Sequence, residues 1–202
     1  MMKNVHWTGH SGIKITGSKT VYADPYELSG GEKADLILIT HGHYDHCSTD
    51  DIKKILGPKT TTVVPASAGK ALPGKVKTVR PGERFTLEDV TIETIPMYNI
   101  GKRFHPKEKN DVAYVFTVDG TTYFHAGDSD LTPEMKTVRA DVLFLPVSGT
   151  YCMDSKEAAD ACAIIKPKAA VPIHWGSITG SSEDATNFKK YAPCDVFILP
   201  EE

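Results

Sequence analysis

The order of apolar and polar positions predicts short strands from the start of the chain. Gly12 to Thr16 and Thr20 to Ala23 flank Gly17-Ser18-Lys19, residue types suited to a hairpin turn. Asp24-Pro25 ends the second strand, because proline cannot donate to a ladder. Asp35 to Thr40 is a nearly continuous apolar run, the mark of a strand buried on both faces. Ser48 or Thr49 then caps a short helix through Leu56, with Asp50 and Asp51 in the favourable first turn. From Thr60 to Pro96 the pattern is mostly extended, in the pieces TTTVVP, VKTV, ERFTL and VTIETIP. Asp111 to Phe124 predicts another hairpin, with AYVFTV and TTYFH joined across Asp119-Gly120.

Helical spacing becomes prominent later. Pro133 to Val138 reads as a helical turn, and Asp141 to Val147 returns to a buried strand. Asp154 to Lys166 is the clearest helix: Ala158, Ala161, Cys162 and Ile165 share a face, and Pro167 stops it. Lys168 to Ile173 is a strand ending in His174-Trp175-Gly176, Ser182 to Tyr191 is helical, and Val196 to Leu199 gives a last strand. No linker interrupts this order. The expectation is one domain over residues 1–202, of mixed α/β class, with mixed sheets and covering helices.

Composition narrows the function. A chain of 202 residues with 40% hydrophobic and 24% charged positions can bury a substantial core without staples. A formal net charge of −3 and the lack of a basic block argue against a nonspecific nucleic-acid grip. No apolar run approaches a membrane span, and MMKNVHWTGHSG lacks the apolar core of a secretory signal. Cys47, Cys152, Cys162 and Cys194 form no C-x-x-C pair, which favours a reducing cytoplasm. Cys47, beside His46, is expected to pack rather than to ligate.

The chemistry concentrates in THGHYDHCS, where His41, His43, Asp45 and His46 fall within six positions after the buried strand. Crowded imidazoles compete for solvent and repel one another when protonated. A metal ion converts that cost into binding, since neutral imidazole and ionised carboxylate suit Zn, Fe, Mn and similar ions. The alternative is a solvated polar loop. Later candidates each carry a structural alternative as well. Asp128, in HAGDSD, could bridge two cations or simply form an Asx-turn before Pro133. His174 ends a strand, where packing is a common role for histidine; His105 sits in the basic loop GKRFHP; His125 falls within a strand and is expected to support the site or the core.

Read together, H-G-H-Y-D-H after a buried strand, then A-G-D-S-D, then V-P-I-H, resemble the metallo-β-lactamase superfamily. The nearest likeness is its branch of small metal-dependent hydrolases, including ascorbate-phosphate lactonase-like enzymes. WTGHSG, VYADPY, PMYNIGKRFHP, PVSGTY and PIHWG extend the resemblance along nearly the whole chain. It implies a four-layer αββα sandwich with a dinuclear site at one edge. Carried over by position, His41 and His43 hold one metal and Asp45 and His46 the other. Asp128 bridges them, and His174 completes the second site. The superfamily usually places a further histidine where this chain has Met97-Tyr98-Asn99, and His105 is the candidate replacement. Asp24 matches a D-P position and would orient a ligating histidine, although a turn-forming Asp explains it equally. His10 and Tyr98 would line the pocket or pack.

The resemblance implies two divalent metal ions, zinc first, with Mn, Ni or Fe as substitutes. The expected reaction is hydrolysis of a small ester, lactone or phosphoester by a metal-activated water, with Asp45 orienting that water or shuttling its proton. No Gly-x-Ser-x-Gly elbow or phosphate loop competes. Lys102, Arg103 and Lys107 could form a cationic cluster at the mouth, or only a solvated loop. The rival readings are a mononuclear iron oxygenase or redox enzyme on the same fold, a non-enzymatic metal-binding module, and, least favoured, a nuclease. The expected partner is a small-molecule substrate, without nucleic acid or membrane, and a homo-oligomer is left open.

Overall fold

We describe residues 2–68 and 71–202 from a computed structural model. The apolar runs pair into two sheets that share one design. In the first, β1 (Val5–Trp7), β2 (Ile13–Ile15), β3 (Val21–Ala23), β4 (Leu36–Leu38), β5 (Thr61–Pro65) and β6 (Lys75–Val79) lie in chain order. The first three are antiparallel neighbours, and β3 to β6 run parallel. The second sheet contains β7 (Arg84–Leu87), β8 (Val90–Pro96), β9 (Val112–Val118), β10 (Thr121–His125), β11 (Val142–Pro146), β12 (Ala169–Ile173) and β13 (Asp195–Val196). It too passes from an antiparallel meander, β7 to β10, into parallel pairing from β10 to β13. The β9–β10 hairpin turns at Asp119 and Gly120, both at positive φ (48° and 74°), as a tight primed turn requires.

The twofold period of each strand sorts its side chains into layers. In β4, Leu36 and Leu38 enter the core between the sheets, while Ile37 faces the opposite way with Ile52 and Ile55 of α1 (Thr49–Ile55). In β11, Val142 and Phe144 enter the inter-sheet core, whereas Leu143 and Leu145 pack under α2 (Ser155–Ile165) and α3 (Ser182–Tyr191). The result is helix, sheet, sheet, helix. This explains why the buried strands read as continuous apolar runs: each has a hydrophobic layer on both sides.

Local signals set the helix ends. Ser48 caps α1 by accepting from the Asp51 N–H. Asp154 and Glu157 form a reciprocal capping box on α2, and Lys166 closes it in a left-handed conformation ahead of Pro167. One strand is shorter than expected. Only Asp195 and Val196 pair with β12, although Val196 to Leu199 has strand character. The Ala170 carbonyl accepts from Phe197 N–H, so Pro172, two residues on, faces the same edge without an N–H to continue the ladder. The chain then leaves the second sheet and pairs Glu201 with Trp7 at the edge of the first. No helix among the described residues is long and apolar enough to cross a membrane.

Candidate metal centre

The centre is assembled where strands end. Asp24 follows β3, Thr40 and His41 follow β4, Asp128 follows β10, and His174 follows β12. His10 comes from the β1–β2 turn, and His105 from the loop before β9. Two glycines make the approach possible. A Cβ on Gly42 would lie 2.8 Å from the Ala68 Cα, and one on Gly127 would lie 2.9 Å from the Thr40 Cβ. Gly127 also has φ +57°, so the A-G-D turn cannot accept an ordinary side chain without moving the H-G-H strand end.

The side chains gather into two four-residue groups and a smaller one of Asp24, His41 and His46, in each of which one ligand atom per residue lies within 4.8 Å of the others. The first four-residue group is His41, His43, His105 and Asp128; the second is His10, Asp45, His46 and His174. In the first, the His43 Nδ1 lies 3.0 Å from His41 Nε2 and 3.2 Å from His105 Nε2. In the second, His10 Nε2 lies 3.1 Å from an Asp45 oxygen, which is 3.6 Å from His46 Nε2. Asp128 reaches both groups. One of its oxygens is 3.2 Å from His46 Nε2, and the other is 3.2 Å from His174 Nε2 and 3.8 Å from His41 and His105.

The hydrogen bonds behind these rings aim their lone pairs. The Asp24 carboxylate faces His46 Nδ1 at 2.8 Å, so His46 donates there and keeps Nε2 inward. The same carboxylate oxygen accepts the Thr40 hydroxyl at 2.6 Å. With its only proton committed, that hydroxyl accepts from His41 Nδ1 at 3.0 Å, which leaves His41 Nε2 inward as well. For His105, Nδ1 faces two acceptors, Asn99 Oδ1 at 3.0 Å and the Tyr151 carbonyl at 3.2 Å. Asn99 is itself oriented, because its amide donates to the Asp128 carbonyl and to Asp130. His174 Nδ1 rests 3.0 Å from Ser148 Oγ. Its backbone is left-handed, as are those of His10 and Asp24, and its N–H donates to the His10 carbonyl. Strain of this kind at non-glycine residues is typical of functional sites.

Charge is distributed unevenly. Burial lowers His41 well below the ordinary histidine range and takes His105 down to about 4. Burial also works against a charge on His174 and His46, but Asp128 raises His174 to about 10, and Asp128 with Asp24 raises His46 well above its usual value. Asp128 is held well below the usual carboxylate range; burial opposes this, and His174 and His46 overcome it. The fit to a cation is tested by two buried atoms, His46 Nε2 and Asp128 Oδ1, which face each other at 3.2 Å without the geometry of a hydrogen bond. Both are acceptors when His46 is neutral with its proton on Nδ1, and a cation satisfies both. An all-nitrogen-and-oxygen donor set suits divalent first-row ions. The residues fit a metal.

Residues 4–174 match the family described as the beta-lactamase superfamily domain. The chain belongs to that family. It is a metal-dependent hydrolase of the metallo-β-lactamase superfamily, with the two-sheet fold of that group. A UPF0173 metal-dependent hydrolase of Methanosphaerula palustris is 31% identical over 96% of this chain and 95% of its own length. Another, from Pyrococcus abyssi, is 32% identical over 94% and 92% respectively. A Parabacteroides distasonis crystal structure assigned as a metal-dependent hydrolase superposes with a TM-score of 0.81 at 30% identity, covering 98% of this chain and 92% of that one.

In this hydrolase the fold brings together every expected ligand, His41, His43, Asp45, His46, His105, Asp128 and His174, and adds His10 to the second group. His125 stands apart: its Nε2 faces the Ser11 carbonyl and its Nδ1 accepts from Gly127, so both nitrogens are used structurally. Of the two alternatives for Tyr98, the structure takes packing: the ring is buried and its hydroxyl donates to Glu134 at 2.8 Å. Of the two alternatives for the basic loop, the structure speaks against the cationic mouth. Lys102 is bound to Asp130 and the Cys152 carbonyl, and Lys107 to Glu134. Cys47 is buried in the layer beneath α1. Thr40, Asn99 and Ser148 were not anticipated. For Asn99 alone a signal existed, since it occupies the stretch where the superfamily usually has a histidine.

Proposed function

We propose that the hydrolase holds two divalent cations, zinc first, and cleaves a small ester, lactone or phosphoester as one domain spanning residues 1–202. His41, His43 and His105 would hold one ion, Asp45, His46 and His174 the other, and Asp128 would join them. The observation that carries this reading is the pair of four-residue groups within ligand distance, with Asp128 reaching both. When bound, such ions supply a water of lowered pKa and polarise a carbonyl or phosphoryl oxygen.

The chain's own groups do the remaining work. Asp24 fixes His46 directly and His41 through Thr40, so that neither ring must reorient as substrate arrives. Asp45 is the proton-handling group: it lies at the substrate-facing hollow and is held by His10 Nε2 at 3.1 Å. His10 in turn is a positioning residue, with its backbone tied to His174 and Trp7 through its carbonyl.

A direct test strips the protein with a chelator, reloads it with zinc, and assays p-nitrophenyl acetate, γ-butyrolactone and bis-p-nitrophenyl phosphate. Hydrolysis that vanishes on stripping and returns on reloading is expected, with a loss in Asp45→Asn of about 100-fold or more, on the scale of general acid–base assistance. Failure of the zinc-loaded protein to hydrolyse any of these would overturn the reading.

A further inference from the structure

A hollow of about 240 Å³ opens onto His43, Asp45 and Asp128. The rest of its wall is Tyr44, Phe104, Tyr151 and Ile178, none of them charged. Phe104 stacks edge-on against Tyr151 with ring centroids 4.6 Å apart, which fixes two sides of the wall. Tyr44, Phe104 and Ile178 remain 62%, 39% and 40% exposed, so large apolar groups from three separate loops face solvent beside the reactive centre. Apolar lining with a few convergent polar groups is the usual make-up of a small-molecule site.

The cations that could have made this an anion site are elsewhere. Lys102 and Lys107 are committed to Asp130 and Glu134, and Arg103 does not line the hollow. The side chains of the hollow therefore offer an anion no cationic partner of their own, so that any attraction for one would come from the bound ions alone. His43 also lines a second hollow of about 350 Å³, together with His41, Gly42, Ser67, Lys109 and Asp111. His43 therefore borders both a hollow with an apolar wall and a polar one that holds the Lys109 ammonium and the Asp111 carboxylate.

We infer that the substrate is a neutral ester or lactone with an apolar acyl group, which seats against Tyr44, Phe104, Tyr151 and Ile178 while the leaving oxygen lies toward Lys109. This rests on the hydrolase reading above and narrows it. Hydrolysis adds water across the C–O bond: the acyl carbon gains hydroxyl and the leaving oxygen gains the proton. No further reactant is needed.

The test is the chain-length profile of the zinc-loaded full chain on p-nitrophenyl acetate, butanoate and hexanoate, beside bis-p-nitrophenyl phosphate. Burial of each added methylene predicts about a fourfold gain, so kcat/KM rises about tenfold or more from acetate to butanoate. In Phe104→Ala and in Ile178→Ala the butanoate-to-acetate ratio falls to about threefold or less, from loss of the same apolar contact. Zinc content and melting temperature of each variant are measured alongside. A flat profile in wild type, an unchanged ratio in both variants, or preference for the phosphodiester would overturn this inference while leaving the hydrolase reading intact. No turnover of any ester or phosphodiester would overturn both.

Discussion

His43 stands exposed in one half of the metal centre, whereas His10, Asp45, His46 and His174 in the other half are all buried. The buried half is anchored on the Asp24 carboxylate, which grips His46 at 2.8 Å. The open half depends on a neutral amide, Asn99, to aim His105. A carboxylate partner binds an imidazole N–H more strongly than an amide does. The two halves should therefore hold cations unequally, the buried one more tightly, although the hollow reaches His43 of the open half and Asp45 of the buried one.

The largest effect is expected where the halves meet. Asp128→Ala should remove a ligand from both, so that metal content falls in each and activity drops more than about 100-fold, beyond the range typical of outer hydrogen-bond partners. Elemental analysis with the ester assay checks this. Asp24→Asn should act on the buried half first and on His41 through Thr40, lowering metal affinity about 10–100-fold by competition titration. His105→Ala should sharpen the contrast, leaving about one ion in the buried half and emptying the open one, as its ligand set predicts. Asn99→Ala, read by the same titration, should weaken only the open half, by about tenfold. Ser148→Ala should produce the smallest change: its hydroxyl is the neutral neighbour of His174 Nδ1, and an effect on the buried half smaller than that of Asp24→Asn would preserve the comparison. A variant of Asn99 that stripped the buried half instead would break it.

Much of this was legible because it is local. The buried run Asp35 to Thr40 delivers its histidines at a strand end, and the Gly42 and Gly127 positions mark where backbones approach. The apolar runs also pointed to mixed sheets with covering helices, while the four-layer order came from the resemblance to the metallo-β-lactamase superfamily. The rest depends on residues distant in sequence. His105 could be read as a solvated loop until Asn99 and the Tyr151 carbonyl fixed its ring. Lys102 and Lys107 looked like a cationic mouth because their partners, Asp130 and Glu134, lie well over twenty positions away. Tyr98 was likewise ambiguous, because the partner of its hydroxyl, Glu134, is equally remote in sequence. The last strand stopped early because Pro172, on its neighbour, cannot donate to it. Such pairings carry no periodicity, and only the folded arrangement reveals them.

The most direct measurement is metal content per chain of the purified wild-type protein, by elemental mass spectrometry, beside Asp128→Ala and His105→Ala. A dinuclear centre built on these residues predicts about two ions in wild type, about one in His105→Ala, and fewer still in Asp128→Ala. Protein made with ample metal supply that carries no tightly held ion, or whose content is indifferent to both substitutions, would contradict it.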